Sequence, residues 1–225
     1  FHESFEVVIQ SGAMLAVLVE YRRRFLRLAD FRARAGFAGG RGLLWLFLTT
    51  LPALVLGALF HDAIKAKLFT PAVIALALGV GGGIMIALER LLPAHDVGDV
   101  DDVGWKRALG VGCFQCLAMI PGTSRSMATI LGGRLLGLSR KTAAEYSFFA
   151  AVPVLLVAGA YDLYKGWASL QRSDLLPYAV GLAVSFFVAW ASIRWLMRLI
   201  SHHTFEGFGW YRIALSLVVW WTLVR

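Results

Sequence analysis

The sequence predicts an all-α polytopic membrane protein with six transmembrane helices plus re-entrant helical hairpins, arranged as an inverted-topology repeat. Hydrophobic residues make up 59% of the 225 residues and charged residues only 16%, against roughly 25% charged in an average soluble domain. The mean hydropathy is +0.69. The charges are bunched between long apolar stretches, whereas a soluble domain needs a polar surface throughout.

Six apolar stretches are long enough, or nearly so, to cross a bilayer, which takes about 20 apolar residues. They lie at roughly 5–21, 43–61, 71–89, 145–161, 176–197 and 210–224. The first, fourth and sixth are short, so they could be tilted or partly interfacial. The third contains Gly79, Gly81, Gly82 and Gly83, and small residues of this kind permit close packing between membrane helices.

A seventh apolar region, 108–138, is interrupted by the polar run 121–126. The two pieces, 108–120 and 127–138, are each too short to span a bilayer. A polar break at membrane depth is tolerated only where protein or a water-filled cavity surrounds it. We therefore predict that 108–138 forms a re-entrant hairpin, which enters and leaves on one side of the membrane.

The basic residues support this topology. If the Arg-rich loop 22–42 is cytoplasmic and each span changes side, 16 basic residues are cytoplasmic and 5 are external, with Arg125 left inside the hairpin. Orientation follows such a bias. The net charge of +8 is therefore explained by orientation and by contact with anionic lipid head groups, and we expect no nucleic acid partner.

A weak internal repeat is also present. The span that opens Phe5–Gln10 resembles the span that opens Ala144–Phe149, and each is followed by a loop and two further spans. The two sets start on opposite sides, as in an inverted repeat, whose sites usually lie near the midplane. We predict one membrane domain over 1–225, with repeat halves 1–92 and 108–225. The hairpin of the first half is expected upstream of Phe1.

The tip of the predicted hairpin has the chemistry of an anion site. Pro121 and Gly122 end the first half-helix, and Thr123 or Ser124 is placed to cap the second. The first turn of that second half-helix offers free N–H groups and a positive dipole end. Arg125 adds a guanidinium fork suited to phosphate, at a depth where a charge is costly. The alternative is an Arg that snorkels or pairs with a buried carboxylate.

Several segments together resemble one known family. Gly112–Leu117 runs into the Pro-Gly-Thr-Ser-Arg-Ser motif, which is followed by Thr129. The other matching segments are Phe5–Gln10, Leu59–Asp62, Ala144–Phe148 and Asp162–Lys165. They resemble the undecaprenyl-diphosphate phosphatases, the integral membrane proteins of the bacitracin-resistance type. The resemblance covers nearly the whole chain, and the motif is specific.

This resemblance implies hydrolysis of undecaprenyl diphosphate to undecaprenyl phosphate plus phosphate in a bacterial plasma (inner) membrane. That reaction recycles the lipid carrier for peptidoglycan and cell-wall synthesis and gives bacitracin resistance. The implied partners are the polyprenyl diphosphate and membrane lipids, and a homodimer is allowed. The resemblance also implies Mg²⁺ or Ca²⁺ as a cofactor, although no metal ligands are evident, and access of the substrate from the external face.

The predicted site residues follow from the motif. Arg125 would hold the diphosphate and stabilise charge on the transferred phosphoryl group, with Ser124 and Ser126 as the other catalytic candidates. The predicted phosphate-binding residues are Gly122, Thr123 and Thr129. The candidates to line a central cavity are Gln115, Glu6 and Glu145. For both glutamates structural pairing is an equal alternative.

The sequence departs from the family at one place. The family's first signature, rich in Glu and ending in a Ser-Ser-Thr-Gly-His-like run, has no match here, and His2 and Glu3 stand in the wrong context to replace it. We expect the acid–base and nucleophilic residues upstream of Phe1. The alternative is a defective relative.

Other functions and sites remain open. The first rival is a transporter or flippase of the polyprenyl phosphate carrier, since broken helices and inverted repeats are typical of transporters. The others are a non-catalytic relative and a type-2 phosphatidic acid phosphatase, whose two catalytic histidines we do not find. Histidines in predicted loops are His61, His95, His202 and His203. The acidic run 96–102 is expected to be a solvated cytoplasmic loop.

Overall fold

A computed structural model describes residues 2–33, 35–93, 97–166 and 175–224. These residues are almost entirely helical and form no strand, only an isolated bridge between Val97 and Leu138. The prediction of an all-α protein is confirmed. The described helices are α1 (His2–Glu20), α2 (Arg22–Leu28), α3 (Gly39–Leu68), α4 (Pro71–Leu91), α5 (Gly104–Gln115), α6 (Arg125–Leu135), α7 (Arg140–Gly166), α8 (Leu175–His202) and α9 (Glu206–Val219).

Among the described residues, four helical segments are long and apolar enough to cross a membrane. They are Gly39–Phe60, Pro71–Leu91, Leu176–His202 and Glu206–Val224, the last being α9 extended by a π-helical turn. These segments match the second, third, fifth and sixth predicted spans. Helices α1 and α7 occupy the places of the first and fourth, but the apolar part of α1 is only Val8–Glu20. The number of six spans therefore stays a prediction.

Local sequence explains where several helices begin and end. The Thr70 hydroxyl accepts a hydrogen bond from the Val73 amide (3.3 Å), and Pro71 occupies the first turn of α4. Helix α3 continues to Leu68 because no Gly or Pro follows Gly57 until Pro71. His61 therefore lies in a helix, and its prediction as a loop residue was wrong. His202 ends α8, and His95 lies outside the described residues.

The glycines of α4 allow helices to approach closely, as predicted. A Cβ atom at Gly82 would lie 2.6 Å from the Gly209 carbonyl oxygen of α9, and one at Gly79 would lie 2.9 Å from the Ser216 hydroxyl. Gly83 differs, because a Cβ there would meet nothing within 4 Å. Helices α4 and α9 consequently pack along their lengths, while α1 packs against α7 and α8.

The predicted hairpin consists of two short helices that pack against each other. Helix α5 continues into a 3-10 turn, Cys116–Met119, and α6 returns after the turn. Helix α5 also packs on α3, and α6 on α7. The Thr49 hydroxyl of α3 joins these layers, since it lies 2.9 Å from the Ala108 carbonyl oxygen and 2.6 Å from the buried Tyr146 hydroxyl. The hairpin is therefore held between α3 and α7.

Candidate active site

The turn at the hairpin tip is packed tightly on α4. The Thr123 amide donates to the Ile120 carbonyl oxygen at 3.0 Å. Gly122 has a φ of +89°, and a Cβ atom there would lie 2.5 Å from the Ile74 carbonyl oxygen. Glycine is needed both for the left-handed backbone and for this approach. The position of the tip is thus fixed by backbone contact.

Ser124 is the residue that caps α6. Its hydroxyl accepts a hydrogen bond from the Met127 amide at 3.3 Å, and its backbone is extended. Ser124 and Ser126 are both exposed. The N-terminal end of α6, with the positive end of its dipole, is therefore presented at the tip beside two accessible hydroxyls. This geometry suits an anion.

Arg125 is partly buried at the start of α6. Its Nη1 atom is buried and has no hydrogen-bond partner, and no carboxylate among the described residues forms an ion pair with it. Within the described part of the chain, the alternative of pairing with a buried carboxylate is not observed. A buried guanidinium group with a free donor can bind an anionic ligand strongly.

Thr129 is buried one turn further along α6. Its hydroxyl lies 2.7 Å from the Ser147 hydroxyl of α7 and 3.0 Å from the Arg125 carbonyl oxygen. These contacts join the hairpin to α7 and hold the first turn of α6. The predicted role of Thr129 in binding phosphate stays a prediction, and a phosphate contact would require this hydroxyl to exchange its present bonds.

Two cavities flank the tip. One, of about 250 Å³, is lined by Ser124, Ser126 and Arg212 among mostly apolar side chains of α4, α6, α8 and α9. The other, of about 310 Å³, lies between the tip and α4 and is almost entirely apolar apart from Thr123. Both cavities are therefore mainly apolar, with Ser124, Ser126 and Arg212 as the polar residues of the first and Thr123 as that of the second.

Two of the predicted cavity-lining residues, Gln115 and Glu145, line neither cavity at the tip. Gln115 is buried at the end of α5, where its amide nitrogen donates to the Thr49 carbonyl oxygen at 3.3 Å and its Oε1 has no partner. Glu145 lies 4.0 Å from the Arg24 Nε and lines a polar cavity with residues 20–24. None of the tip residues lines that cavity. The side chain of Glu6 lies outside the described residues.

The prediction overlooked Arg212. It was assigned to the cytoplasmic charges at the start of the sixth span, but the structure buries it in α9, where its Nη2 donates to the Gly122 carbonyl oxygen at 2.9 Å. An Arg inside an apolar run is a functional hypothesis by default. The same argument that selected Arg125 could therefore have found Arg212.

The described residues do not fit a metal site. No three His, Cys, Asp or Glu side chains come together among them in a way that could hold an ion. In the acidic run, Asp99 and Asp102 are exposed, as expected, and Asp99 and Asp101 each also lie 2.8 Å from Arg24. The Mg²⁺ or Ca²⁺ that the family resemblance implies stays a prediction.

Comparison with known proteins identifies the family. The family described as Bacitracin resistance protein BacA matches residues 1–218. The protein named Undecaprenyl-diphosphatase in Nitratidesulfovibrio vulgaris (strain DP4) is 48% identical over 97% of this chain and 82% of its own length. Its namesakes in Maridesulfovibrio salexigens and Methylococcus capsulatus are each 49% identical over 96% of this chain, and over 82% and 78% of their own lengths. The chain therefore belongs to the BacA family of bacitracin resistance proteins.

Proposed function

We propose that this protein hydrolyses undecaprenyl diphosphate to undecaprenyl phosphate and phosphate. The observation on which this rests most directly is the unpaired, buried Nη1 of Arg125 at the N-terminal end of α6. Relatives that are 48–49% identical over nearly the whole chain are named undecaprenyl-diphosphatases. The reaction recycles the carrier for cell-wall synthesis and gives bacitracin resistance.

The tip residues divide the work of binding and charge stabilisation. Arg125 binds the phosphoryl group and stabilises the charge that develops on it during transfer. Ser124 and Ser126, which both line the cavity of about 250 Å³, and the first amides of α6 complete the cradle. The cavity beside Thr123 is suited to the first units of the prenyl chain, because the rest of its lining is apolar.

The protein lies in the bacterial inner membrane with six spans and its Arg-rich loop 22–42 in the cytoplasm. The division of basic residues, 16 against 5, supports this orientation. Helix packing supports an inverted repeat. In such a repeat α1, α3 and α4 correspond to α7, α8 and α9. A contact of α1 with α8 then implies a contact of α7 with α3, and both contacts are present. A homodimer stays a prediction.

The test is phosphate release by the purified protein from undecaprenyl diphosphate. Arg125→Lys keeps the charge but loses the planar fork. We expect it to lower kcat at least about a hundredfold, as the loss of one transition-state donor does. The matched control is Arg107→Lys, in the same hairpin but at its base, where Arg107 donates to the Leu136 carbonyl oxygen at 3.0 Å. Its turnover should stay close to that of the unmodified protein.

Two results would contradict the proposal in different ways. Near-normal turnover in Arg125→Lys would make this guanidinium a structural or steering charge. A purified protein that moves the lipid carrier between leaflets of a vesicle but releases no phosphate would be a transporter, the alternative that broken helices allow.

A further inference from the structure

Arg212 is a buried cation without a charge partner. It lies six residues into α9, its residue is 9% exposed, and no carboxylate among the described residues pairs with it. Burying an unpaired guanidinium group in an apolar helix costs several kcal/mol. A charge kept at such a cost marks a functional position more often than a packing position.

The contacts of Arg212 direct it to the hairpin tip. Its Nη2 donates to the Gly122 carbonyl oxygen at 2.9 Å and to the Ala77 carbonyl oxygen at 3.3 Å. Helix α4 leaves space for the group at Gly81, where an added Cβ atom would lie 2.9 Å from Nη2. Two neutral carbonyl groups hold the guanidinium in place but do not neutralise its charge.

A donor of Arg212 remains free beside the cavity at the tip. The Nε atom is buried and has no hydrogen-bond partner. Arg212 also lines the cavity of about 250 Å³ that contains Ser124 and Ser126. The rest of that wall is mainly apolar, with Phe205 and Phe208 opposite the serines' helix. A low-polarity cavity with one unneutralised cation attracts an anion.

We propose that Arg212 is a second guanidinium ligand for the diphosphate of the substrate, in addition to Arg125. This inference rests on the proposed function and adds a binding residue from α9, far from Arg125 in the sequence. Two carbonyl groups hold Arg212 in place without substrate, and we expect it to bind the diphosphate about equally in the ground state and in the transition state. Loss of such uniform binding raises KM and leaves kcat nearly unchanged.

The test compares Arg212→Gln and Arg212→Lys for turnover of undecaprenyl diphosphate and for inhibition by methylenediphosphonate, a non-hydrolysable diphosphate. Gln can still donate to the Gly122 carbonyl oxygen but has no charge. We expect KM and the inhibition constant to rise about tenfold or more in the Gln variant, as loss of a charged hydrogen bond implies. Lys should show a smaller rise, and kcat should change little in both.

Gly81→Ala tests the proposal without removing Arg212, in case the substitutions prevent folding. Its methyl group would lie 2.9 Å from Nη2 and 3.0 Å from the Met127 Sδ, so these flexible side chains must move, whereas the control Gly83→Ala, on the same helix, meets nothing within 4 Å. Gly81→Ala should raise KM and the inhibition constant, and Gly83→Ala should not. Unchanged values in Gly81→Ala, or in Arg212→Gln, would overturn the proposal, as would a fall in kcat alone, which would mean that Arg212 acts only in the transition state.

A direct binding measurement separates this proposal from the proposed function. Methylenediphosphonate should raise the unfolding temperature of the unmodified protein in detergent more than that of Arg212→Gln. Equal increases would overturn the role of Arg212 even if phosphate is released normally. An unmodified protein that binds methylenediphosphonate through Arg212 but releases no phosphate would contradict only the proposed function.

Discussion

At the scale of single residues, Asp101 stabilises the fold through hydrogen bonds that depend on its charge. Its carboxylate accepts hydrogen bonds from the Phe37 amide (2.7 Å), from Arg24 (2.8 Å) and from Arg27 (3.1 Å). Partial burial would raise the pKa of this carboxyl group, but these hydrogen bonds outweigh that effect and hold the pKa below its ordinary value of 3.8. The ionised form therefore ties the loop before α5 to α2 and to the start of α3.

The stability that Asp101 contributes should depend on pH in a definite direction. Because the folded-state pKa is lowered, the contribution is complete above the unfolded-state value of 3.8 and is lost as the pH falls through the lower folded-state pKa. Asp101→Asn should lower the unfolding free energy at pH 7 by about 1.5–3 kcal/mol, the range for charged hydrogen bonds. It should also flatten the acid side of the stability profile measured in detergent.

The control is Asp102→Asn, which changes an exposed carboxylate on the same turn. Its effect should stay within about 0.5 kcal/mol, as for most surface substitutions. A profile with the same acid slope in Asp101→Asn and in the unmodified protein would show that Asp101 does not titrate with folding.

Two arginines show what the sequence could predict at residue scale. Arg125 lies in one short motif with Gly122, which forms the turn, and Ser124, which caps α6. Its position and its chemistry could therefore be predicted from consecutive residues. Arg212 lies 90 residues after Gly122, whose carbonyl oxygen it binds. Only the packing of α9 on α4 brings these two residues together. A span count that treats Arg212 as a boundary charge cannot reveal that contact.

At the scale of elements, a buried ionic cluster fastens the hairpin to its neighbours. The Glu89 carboxylate of α4 is 1% exposed, lies 2.6 Å from Arg140 Nε and lies 3.8 Å from Arg134 Nε. Arg134, which is in the last turn of α6, also donates to the Leu138 carbonyl oxygen at 3.2 Å. One carboxylate of α4 therefore holds both the end of α6 and the start of α7.

Removal of this carboxylate should be strongly destabilising. Glu89→Gln leaves two arginines, one of them 2% exposed, without the negative charge between them. We expect the unfolding free energy to fall by about 3–5 kcal/mol, the usual cost of breaking a buried ion pair from one side. Thermal unfolding of the purified protein in detergent measures this loss.

The matched control is Glu206→Gln, which removes the partner of Arg90 in an ion pair of 3.0 Å whose Arg side chain is 60% exposed. It should cost much less than Glu89→Gln, because exposed pairs contribute little to stability. Equal losses for the two variants would show that burial adds nothing to the Glu89 cluster.

Helix limits were predicted less well than helix positions. Hydropathy ends the second span at residue 61, whereas α3 begins at Gly39 and continues to Leu68. The charged side chains near its end do not stop a helix, because the backbone hydrogen bonds continue until a residue that breaks them. In the hairpin the predicted break at 121–126 agrees with the observed gap between Met119 and Arg125, since Pro121 and Gly122 act on the backbone itself.

At the scale of the whole molecule, the orientation of the protein in the membrane decides from which face a substrate can reach the hairpin tip. The two short hairpin helices cannot each cross a bilayer, and a diphosphate cannot pass through hydrocarbon unaided. A site at the tip therefore needs an aqueous passage to one face. If loop 22–42 is cytoplasmic, as the positive-inside bias predicts, the base of the hairpin lies on the cytoplasmic side. The family resemblance implies that the released carrier is met on the external face, so we expect the passage to open outward.

Thiol labelling in intact cells tests this arrangement. We expect a cysteine introduced by Ser126→Cys, at an exposed position lining the tip cavity, to react with a membrane-impermeant maleimide from outside and to be protected by methylenediphosphonate. The background must lack Cys113, which is exposed, and Cys116. The control is Arg32→Cys in the Arg-rich loop, which should react only after the inner membrane is opened.

Labelling of the Ser126→Cys protein only from the cytoplasmic side would contradict the outward passage, and labelling of the control in intact cells would invert the topology. Either result would leave the phosphatase activity to be judged by phosphate release alone, because the chemistry of Arg125 does not depend on which face supplies the lipid.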